Sequence, residues 1–401
     1  MNSYQQAREI QGDMVDLRRR LHAEPEVGLE LPRTREKVLA ALRGLGLEIR
    51  TGESLSSVTA VLRGGGRGPC VLLRGDMDAL PVTERTGLDY AATNGAMHAC
   101  GHDLHTAMLV AAARLLAARR DELVGDVVFM FQPGEESGWD GASHMIEEGV
   151  LEAAGAPPVA AYGLHVASGL YPRGTFVTRP GPWMAASDRL TVTVRGAGGH
   201  GSSPYLAKDP IPATCEIVTA LQTMLTRTFD PFDPVVLTVG SLHAGSRHNV
   251  IPEAARFEAT VRSFSEQSRA RLRETTTGLI HSIAEGYGLT AEVDYAEEYP
   301  VTANDDAETA FAEHVVAEVV GDEHFVRAEN PMMGSEDFSR VLERVPGCFL
   351  WLGACAENTD PASAAMNHSP LAVFDEAVMP EGVALLVELA ERRLAAAAGA
   401  A

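Results

Sequence analysis

The stretch Cys70-Val71-Leu72-Leu73-Arg74-Gly75-Asp76-Met77-Asp78 is an apolar run that stops at a glycine and then delivers two carboxylates. A short continuous apolar segment ended by turn residues reads as a strand buried on both faces, as in a parallel sheet. Two further segments repeat the pattern: residues 126–131 lead into Gln132-Pro133-Gly134-Glu135-Glu136, and residues 159–164 end at His165. In an open α/β sheet the carboxyl ends of the strands line the ligand crevice, so polar groups delivered by three separate strands converge on one place. Between the first two strands lies Met97-His98-Ala99-Cys100-Gly101-His102-Asp103-Leu104-His105, with three histidines, a cysteine and an aspartate in nine residues. Cys100 and His102 are two apart, so in an extended segment both side chains point the same way and can meet one metal.

Working outward, residues 4–20 carry Ile10, Met14 and Leu17 among charges, which predicts an amphipathic helix. A second helix opens at Pro32 and ends at Gly44 and Gly46. Residues 57–62 read as a strand, and Gly64-Gly65-Gly66 as the hairpin turn joining it to the apolar strand at 70–74. The glycine run lacks the Lys-Ser/Thr ending of a phosphate loop, and no helix follows it. A helix is predicted over 104–120 with Asp103 as its cap, and another over 140–149. Helices alternating with strands define an α/β domain whose mostly parallel sheet is flanked by helices.

From about Trp183 the texture changes. Residues 187–194 alternate polar and apolar, followed by a helix over 210–227, strands at 235–242 and 255–262, a helix over 266–287 and a strand at 290–295. This βαββαβ order predicts an inserted ferredoxin-like α+β domain. The expected division is 1–184 with 298–401 for the first domain and 185–297 for the insert. The α/β pattern then resumes with a helix over 306–320, a strand at 347–352 and a closing helix over 375–396. Residues 395–401, rich in alanine, are expected to fray, and Gly334-Ser335-Glu336-Asp337-Phe338 reads as a loop that caps the helix after it.

At 401 residues, 45% hydrophobic and 22% charged, the composition is that of a soluble globular protein of two domains. A net charge of -22 repels phosphate backbones and anionic membrane surfaces, which argues against nucleic-acid and membrane partners. The first twenty residues show no apolar core behind a basic region, and no apolar run is of bilayer length. Five scattered cysteines do not suggest a disulfide framework, so a reducing cytoplasm is the expected location.

Seven motifs carry a resemblance over nearly the whole chain: Gly75-Asp76-Met77-Asp78-Ala79-Leu80-Pro81, the run from His98 to Asp103, Pro133-Gly134-Glu135-Glu136, Gly163-Leu164-His165, Gly199-His200, Asn249-Val250-Ile251-Pro252 and Asn367-His368-Ser369-Pro370. In this order they resemble the M20 metallopeptidases and amidohydrolases, and more narrowly the N-acyl-amino-acid amidohydrolases that include hippurate and auxin-conjugate hydrolases. The resemblance implies two divalent metal ions, with Cys100 bridging and His102, Glu136, His165 and His368 as ligands. It implies Asp78 as an orienting carboxylate, Glu135 as general base, His200 as an oxyanion stabiliser reaching into a partner subunit, and Asn249 and Arg262 as grips for the substrate carboxylate. The insert would then be a lid and dimerisation domain, and the protein a homodimer or higher homo-oligomer. Independent chemistry agrees on the metal. Imidazole, thiolate and carboxylate suit zinc first, with manganese, nickel or cobalt as alternatives, and two metals about 3.5–4 Å apart can share one activated water. In the wider family a histidine stands at position 76 and an aspartate at position 100, so the softer set here puts metal identity in question.

Each role has a plainer counterpart. Glu135 reads otherwise as a redundant ligand, His200 as a loop histidine among glycines, and Arg262 as an exposed strand arginine. His98 is a candidate for supporting the ligands, while His22, His105, His144 and His243 read as ordinary helix or loop histidines. The expected reaction is hydrolysis of an N-acyl amino acid to a carboxylic acid and a free amino acid. A dipeptidase or carboxypeptidase with the same machinery is the nearest alternative, because the two substrates differ only on the acyl side. A catalytically silent metal-binding protein would lack a ligand or the base, and a thiol redox enzyme would want a second cysteine near Cys100.

Overall fold

The computed structural model describes residues 2–399. The chain divides into two compact units: one comprises the residues up to Trp183, Ala303–Asn330 and the residues from Asp337 on; the other comprises Met184–Thr302 and Pro331–Glu336.

The first unit is built on an eight-stranded sheet. Its strands are β1 (Glu48–Thr51), β2 (Val58–Leu62), β3 (Gly66–Asp76), β4 (Val124–Gln132), β5 (Ala160–Ala167) and β6 (Phe176–Thr178). The second unit contributes β7 (Ala186–Arg195), β8 (Val236–Ala244), β9 (Ala254–Ser263) and β10 (Thr290–Tyr299) to a sheet of its own. The first sheet is completed by β11 (Phe325–Arg327) and β12 (Gly347–Gly353), and its order is β1-β2-β4-β3-β5-β12-β6-β11. The middle strands β4, β3, β5 and β12 run parallel to one another, while β1, β2 and the β12–β6 pair are antiparallel. The sheet is therefore mixed, with its parallel part at the centre. There β5 and β12 are buried along their whole length, as the continuous apolar runs require when both faces are covered. Helices α1 (Gln11–His22), α2 (His102–Ala118) and α4 (Met379–Gly399) pack together over one face, and the short α3 (Gly141–Glu147) packs beside β4.

The glycine run is not a hairpin turn. Strand β4 lies between β2 and β3, antiparallel to the one and parallel to the other. Gly65 N–H donates to the Arg120 carbonyl at 2.7 Å and Gly66 N–H to that of Leu123 at 3.1 Å. A Cβ on Gly64 would stand 2.2 Å from the Gly125 oxygen, and one on Gly65 2.5 Å from the Asp121 oxygen. The glycines are there because two backbones touch, a requirement indistinguishable in sequence from that of a tight turn.

Other boundaries shift for local reasons. The helix expected over 4–20 breaks at Ile10 into Ser3–Glu9 and α1. Strand β5 continues to Ala167, so His165 projects from within it. The closing helix runs to Gly399, so 395–399 are helical, while Ala400 and Ala401 lie outside the described residues. No described helix is long and apolar enough to cross a membrane.

In the second unit the strand order β8-β9-β7-β10, antiparallel throughout, is that of a ferredoxin-like α+β fold. Val192, Phe257 and Val261 alternate with exposed or half-exposed positions and meet Ile217, Leu221, Leu272 and Ile280 of the helices Pro210–Thr228 and Glu266–Gly286. Residues 331–336 also belong here: Ala185 N–H donates to the Met332 and Gly334 carbonyls. This short return has no periodicity that a sequence reading could detect.

Replacing Gly65 by alanine tests the backbone contact. The clash with Asp121 should lower stability by about 1–3 kcal/mol, read as a fall in the thermal midpoint; an unchanged midpoint would show that this contact does not demand a glycine.

Candidate metal centre

Asp78, just beyond β3, is fully buried, and its two oxygens accept the backbone N–H groups of Glu135 and Glu136, each at 3.1 Å. One carboxylate thus holds the loop that follows β4. The same group faces His102 Nδ1 at 3.4 Å.

Cys100 and His102 meet through a turn and not through an extended segment. Gly101 between them is left-handed (φ 85°, ψ 15°) and precedes α2, whose first residue is His102. A Cβ on Gly101 would lie 2.4 Å from Val166 Cγ2, so only glycine allows both the turn and the close approach to β5.

The donors form two sets that share the cysteine. Cys100, His102 and His165 have one ligand atom each within 4.8 Å of one another, and so do Cys100, Glu136 and His368. Cys100 Sγ is 3.4 Å from His165 Nε2 and 3.3 Å from His368 Nε2, which in turn is 3.1 Å from Glu136 Oε1. Glu135 joins His102 and Glu136 in a third grouping, its Oε2 4.0 Å from His102 Nε2. All five proposed ligands thus come together in the first unit.

The residues fit bound cations. His102 Nε2 is buried without a hydrogen bond, and it faces Asp76 Oδ2 at 3.5 Å and Glu136 Oε1 at 4.0 Å. An unpaired buried nitrogen among carboxylates is costly, and a cation shared with the thiolate removes the cost. Burial alone would push His102 down, but the Asp76 and Asp78 carboxylates hold it well above its usual range. Hydrogen bonds with Cys100 and Glu136 lift His368 to about 10. Burial and the neighbouring His105 push His165 down, while the raised His102 and His368 reflect the negative charge around them; a cation taking the place of those protons would leave each imidazole neutral, as a metal ligand has to be.

Local backbone supports this arrangement. His368 adopts φ 72°, unusual for a residue with a side chain, and its N–H donates to the Ala99 carbonyl at 2.8 Å. Asn367 beside it donates from Nδ2 to the carbonyls of Val166 at 3.0 Å and Cys100 at 3.3 Å. It joins the turn that carries Cys100 to the strand that carries His165.

Several sequence expectations are corrected here. Asp103 caps nothing: it is buried within the first turn of α2, 2.7 Å from Arg18 Nε and 2.8 Å from His22 Nδ1. His22 and His105 are therefore not ordinary helix histidines. His22 also reaches Glu84 at 3.1 Å, and His105 Nδ1 is 2.5 Å from Asp76 Oδ1. Asp337 is more than a candidate cap: its carboxylate accepts from Arg74, from Gln132 and from the Ala142 N–H in the first turn of α3. These partners lie 195 or more residues away in sequence, so local spacing carried no signal of them.

In the second unit, His200 and Val250 are paired in a two-stranded ladder, and Gly201 N–H donates to the Asn249 carbonyl at 2.9 Å, which places His200 beside Asn249. His200 is exposed, its Nδ1 accepting the Ser202 N–H at 3.1 Å. Arg262 lies on β9, its Nη1 donating to Ser187 at 2.7 Å and Thr260 at 2.6 Å.

The sequence pattern of Peptidase family M20/M25/M40 matches residues 72–392. The chain belongs to that family. It is an M20 metal-dependent amidohydrolase with a binuclear metal-binding site. It is 38% identical to thermostable carboxypeptidase 1 of Saccharolobus solfataricus, over 94% of each chain. It is 37% identical to the IAA-amino acid hydrolase ILR1-like 4 of Arabidopsis thaliana, over 95% of this chain and 86% of that one. Among solved structures it resembles the Bacillus subtilis YXEP protein, described as a dinuclear metal binding peptidase of the M20 family, with a TM-score of 0.82 and 32% identity over 97% and 99% of the two chains.

The Arg18–Asp103–His22 cluster makes a pH prediction. Burial would lower His22, yet the Asp103 and Glu84 carboxylates lift it from 6.5 to about 9. A raised folded-state value contributes stability that is complete below pH 6.5 and lost as pH rises through about 9. The thermal midpoint of this M20 protein should fall over that interval, and His22→Gln should flatten the fall. An identical slope in the variant would show that His22 does not cause it.

Proposed function

We propose that this chain cleaves the amide bond on the amino side of a carboxyl-terminal amino acid, with short peptides as its substrates, as a carboxypeptidase does. What carries the reading is Cys100, common to both donor sets, with Glu135 grouped beside the donors His102 and Glu136. The carboxypeptidase name of the relative at 38% identity favours peptides. Simple N-acyl amino acids are the second reading, favoured by the likeness to a plant hydrolase of amino acid conjugates.

Cys100, His102, Glu136, His165 and His368 would hold two divalent cations, zinc first, with manganese, nickel or cobalt as alternatives. When bound, these supply a nucleophilic water at neutral pH and polarise the scissile carbonyl. Glu135 takes the proton that the attacking water loses and returns it to the nitrogen as the C–N bond breaks, so the products are a carboxylic acid and a free amino group. Asp78 keeps Glu135 and Glu136 in place through their backbone N–H groups. His200 of a partner subunit would stabilise the oxyanion, which makes the protein a homodimer or higher homo-oligomer and the insert its lid and dimerisation domain. Asn249 and Arg262 would grip the substrate carboxylate, since an anionic substrate on a chain of net charge -22 needs a local cation. All five cysteines are free, which suits a reducing cytoplasm.

Glu135→Gln should lower kcat at least about 100-fold while leaving the metal content at two equivalents per chain. Activity near that of the parent would make Glu135 a ligand or a bystander. A panel of dipeptides, longer peptides, hippurate and acetylated amino acids, assayed after metal reconstitution, decides the substrate: higher kcat/KM on acyl amino acids than on any peptide would replace the carboxypeptidase reading by the second one. Hydrolysis that survives complete chelation would overturn both.

A further inference from the structure

The backbone of Val166, directly after His165, is engaged at both of its polar groups, which lie in successive peptide planes. Its carbonyl accepts from His165 Nδ1 at 2.9 Å and from Asn367 Nδ2 at 3.0 Å. Its N–H donates to His105 Nε2 at 2.8 Å. The ladder between β3 and β5 ends at the Arg74–Gly163 pair, so past that point a side chain takes the place of a neighbouring strand. An amide N–H can only donate, and His105 Nε2 must therefore be the acceptor. The proton of His105 then sits on Nδ1 and is donated to Asp76 Oδ1 at 2.5 Å.

Asp76 is tied down in turn. Its other oxygen accepts from Arg74 Nη1 at 2.7 Å, and Arg74 also donates to Gln132 at 2.9 Å and Asp337 at 3.1 Å. Arg74, Asp76 and His105 are all buried. Although Asp76, His102 and His105 lie close enough to hold an ion, both Asp76 oxygens and both His105 nitrogens already have partners. They suit support better than coordination.

We propose that His105 is a positioning residue for the metal centre: a neutral imidazole, its proton held on Nδ1 by Asp76, that anchors the backbone N–H of Val166 and so steadies the residue whose carbonyl, one peptide further on, sets the tautomer and direction of His165. Ligating histidines commonly pass their second ring nitrogen to a carbonyl or carboxylate that orients them. Here His165 uses a carbonyl, and the carboxylate acts one residue removed through His105. The inference rests on the assignment of His165 as a ligand.

The test uses cobalt(II) and zinc(II) added to the chelated full-length protein, with affinity read by competition against a chromophoric chelator and geometry by the cobalt absorption spectrum. His105→Leu removes the acceptor and should weaken one of the two metals about 10- to 100-fold, with an altered cobalt spectrum. His105→Gln, which can still accept from Val166, should recover a large part of that loss. If His105→Leu does not fold, Asp76→Asn, which removes the charge that holds the proton on Nδ1, should move the same spectrum. A nitrogen-15 spectrum of the histidine-labelled parent should show His105 protonated on Nδ1 alone. Protonation on Nε2, or folded variants with the parent's affinities and spectrum, would overturn the proposal. A parent protein that binds fewer than two cobalt ions would instead overturn the metal-centre assignment on which it rests.

Discussion

The hydrogen bonds from the Glu135 and Glu136 N–H groups to the two oxygens of Asp78 are the constraint on which the site depends. Strands β3 and β4 are neighbours and parallel, so their carboxyl ends emerge on the same edge of the sheet. Geometry alone brings the two loops near each other; the Asp78 carboxylate sets their spacing. With one group it fixes the backbone of Glu135 and of Glu136 and faces the Nδ1 of His102. β5, on the other side of β3, places His165 on the same edge, and the Asn367–His368 turn closes the set over Cys100.

The centre is held between buried charges. Beside His102 in sequence, Asp103 is paired with Arg18 and His22; across from it, Asp76 is paired with Arg74 and His105. Unpaired, each such charge would cost several kcal/mol to bury. Paired, they clamp the first turn of α2 from both sides, so His102 has little freedom to move. Similar pairing by Asp337 joins β3, β4 and α3 beneath the site. The geometry of the donor groups in this protein is a property of the supporting carboxylates as much as of the donors themselves.

Much of this was legible in the chain. The apolar runs ending in Asp76 and Asp78, in Glu135 and Glu136 and near His165 announced both a parallel core and the edge at which chemistry sits. The alternation along 187–194 and 255–262 announced the α+β insert. The misreadings share one cause. Gly64 to Gly66 looked like a turn because glycine marks backbone proximity without saying to what; Asp103 looked like a cap because its partner Arg18 is 85 positions earlier. Gly101 was passed over because the Cys100–His102 spacing already suited a strand, although a left-handed turn does the work.

The sequence by itself determined the donor types, their order along the chain and the periodicities that make the sheet and the insert, because composition and spacing act locally. Only the tertiary structure decided that β4 enters between β2 and β3 and that Cys100 belongs to both donor sets. It alone decided that Asp76, His105 and Val166 form a line of support behind His165. Those are contacts between residues dozens to hundreds of positions apart, settled by how strands order themselves in a sheet and by the need of every buried charge for a partner, and no local pattern encodes them.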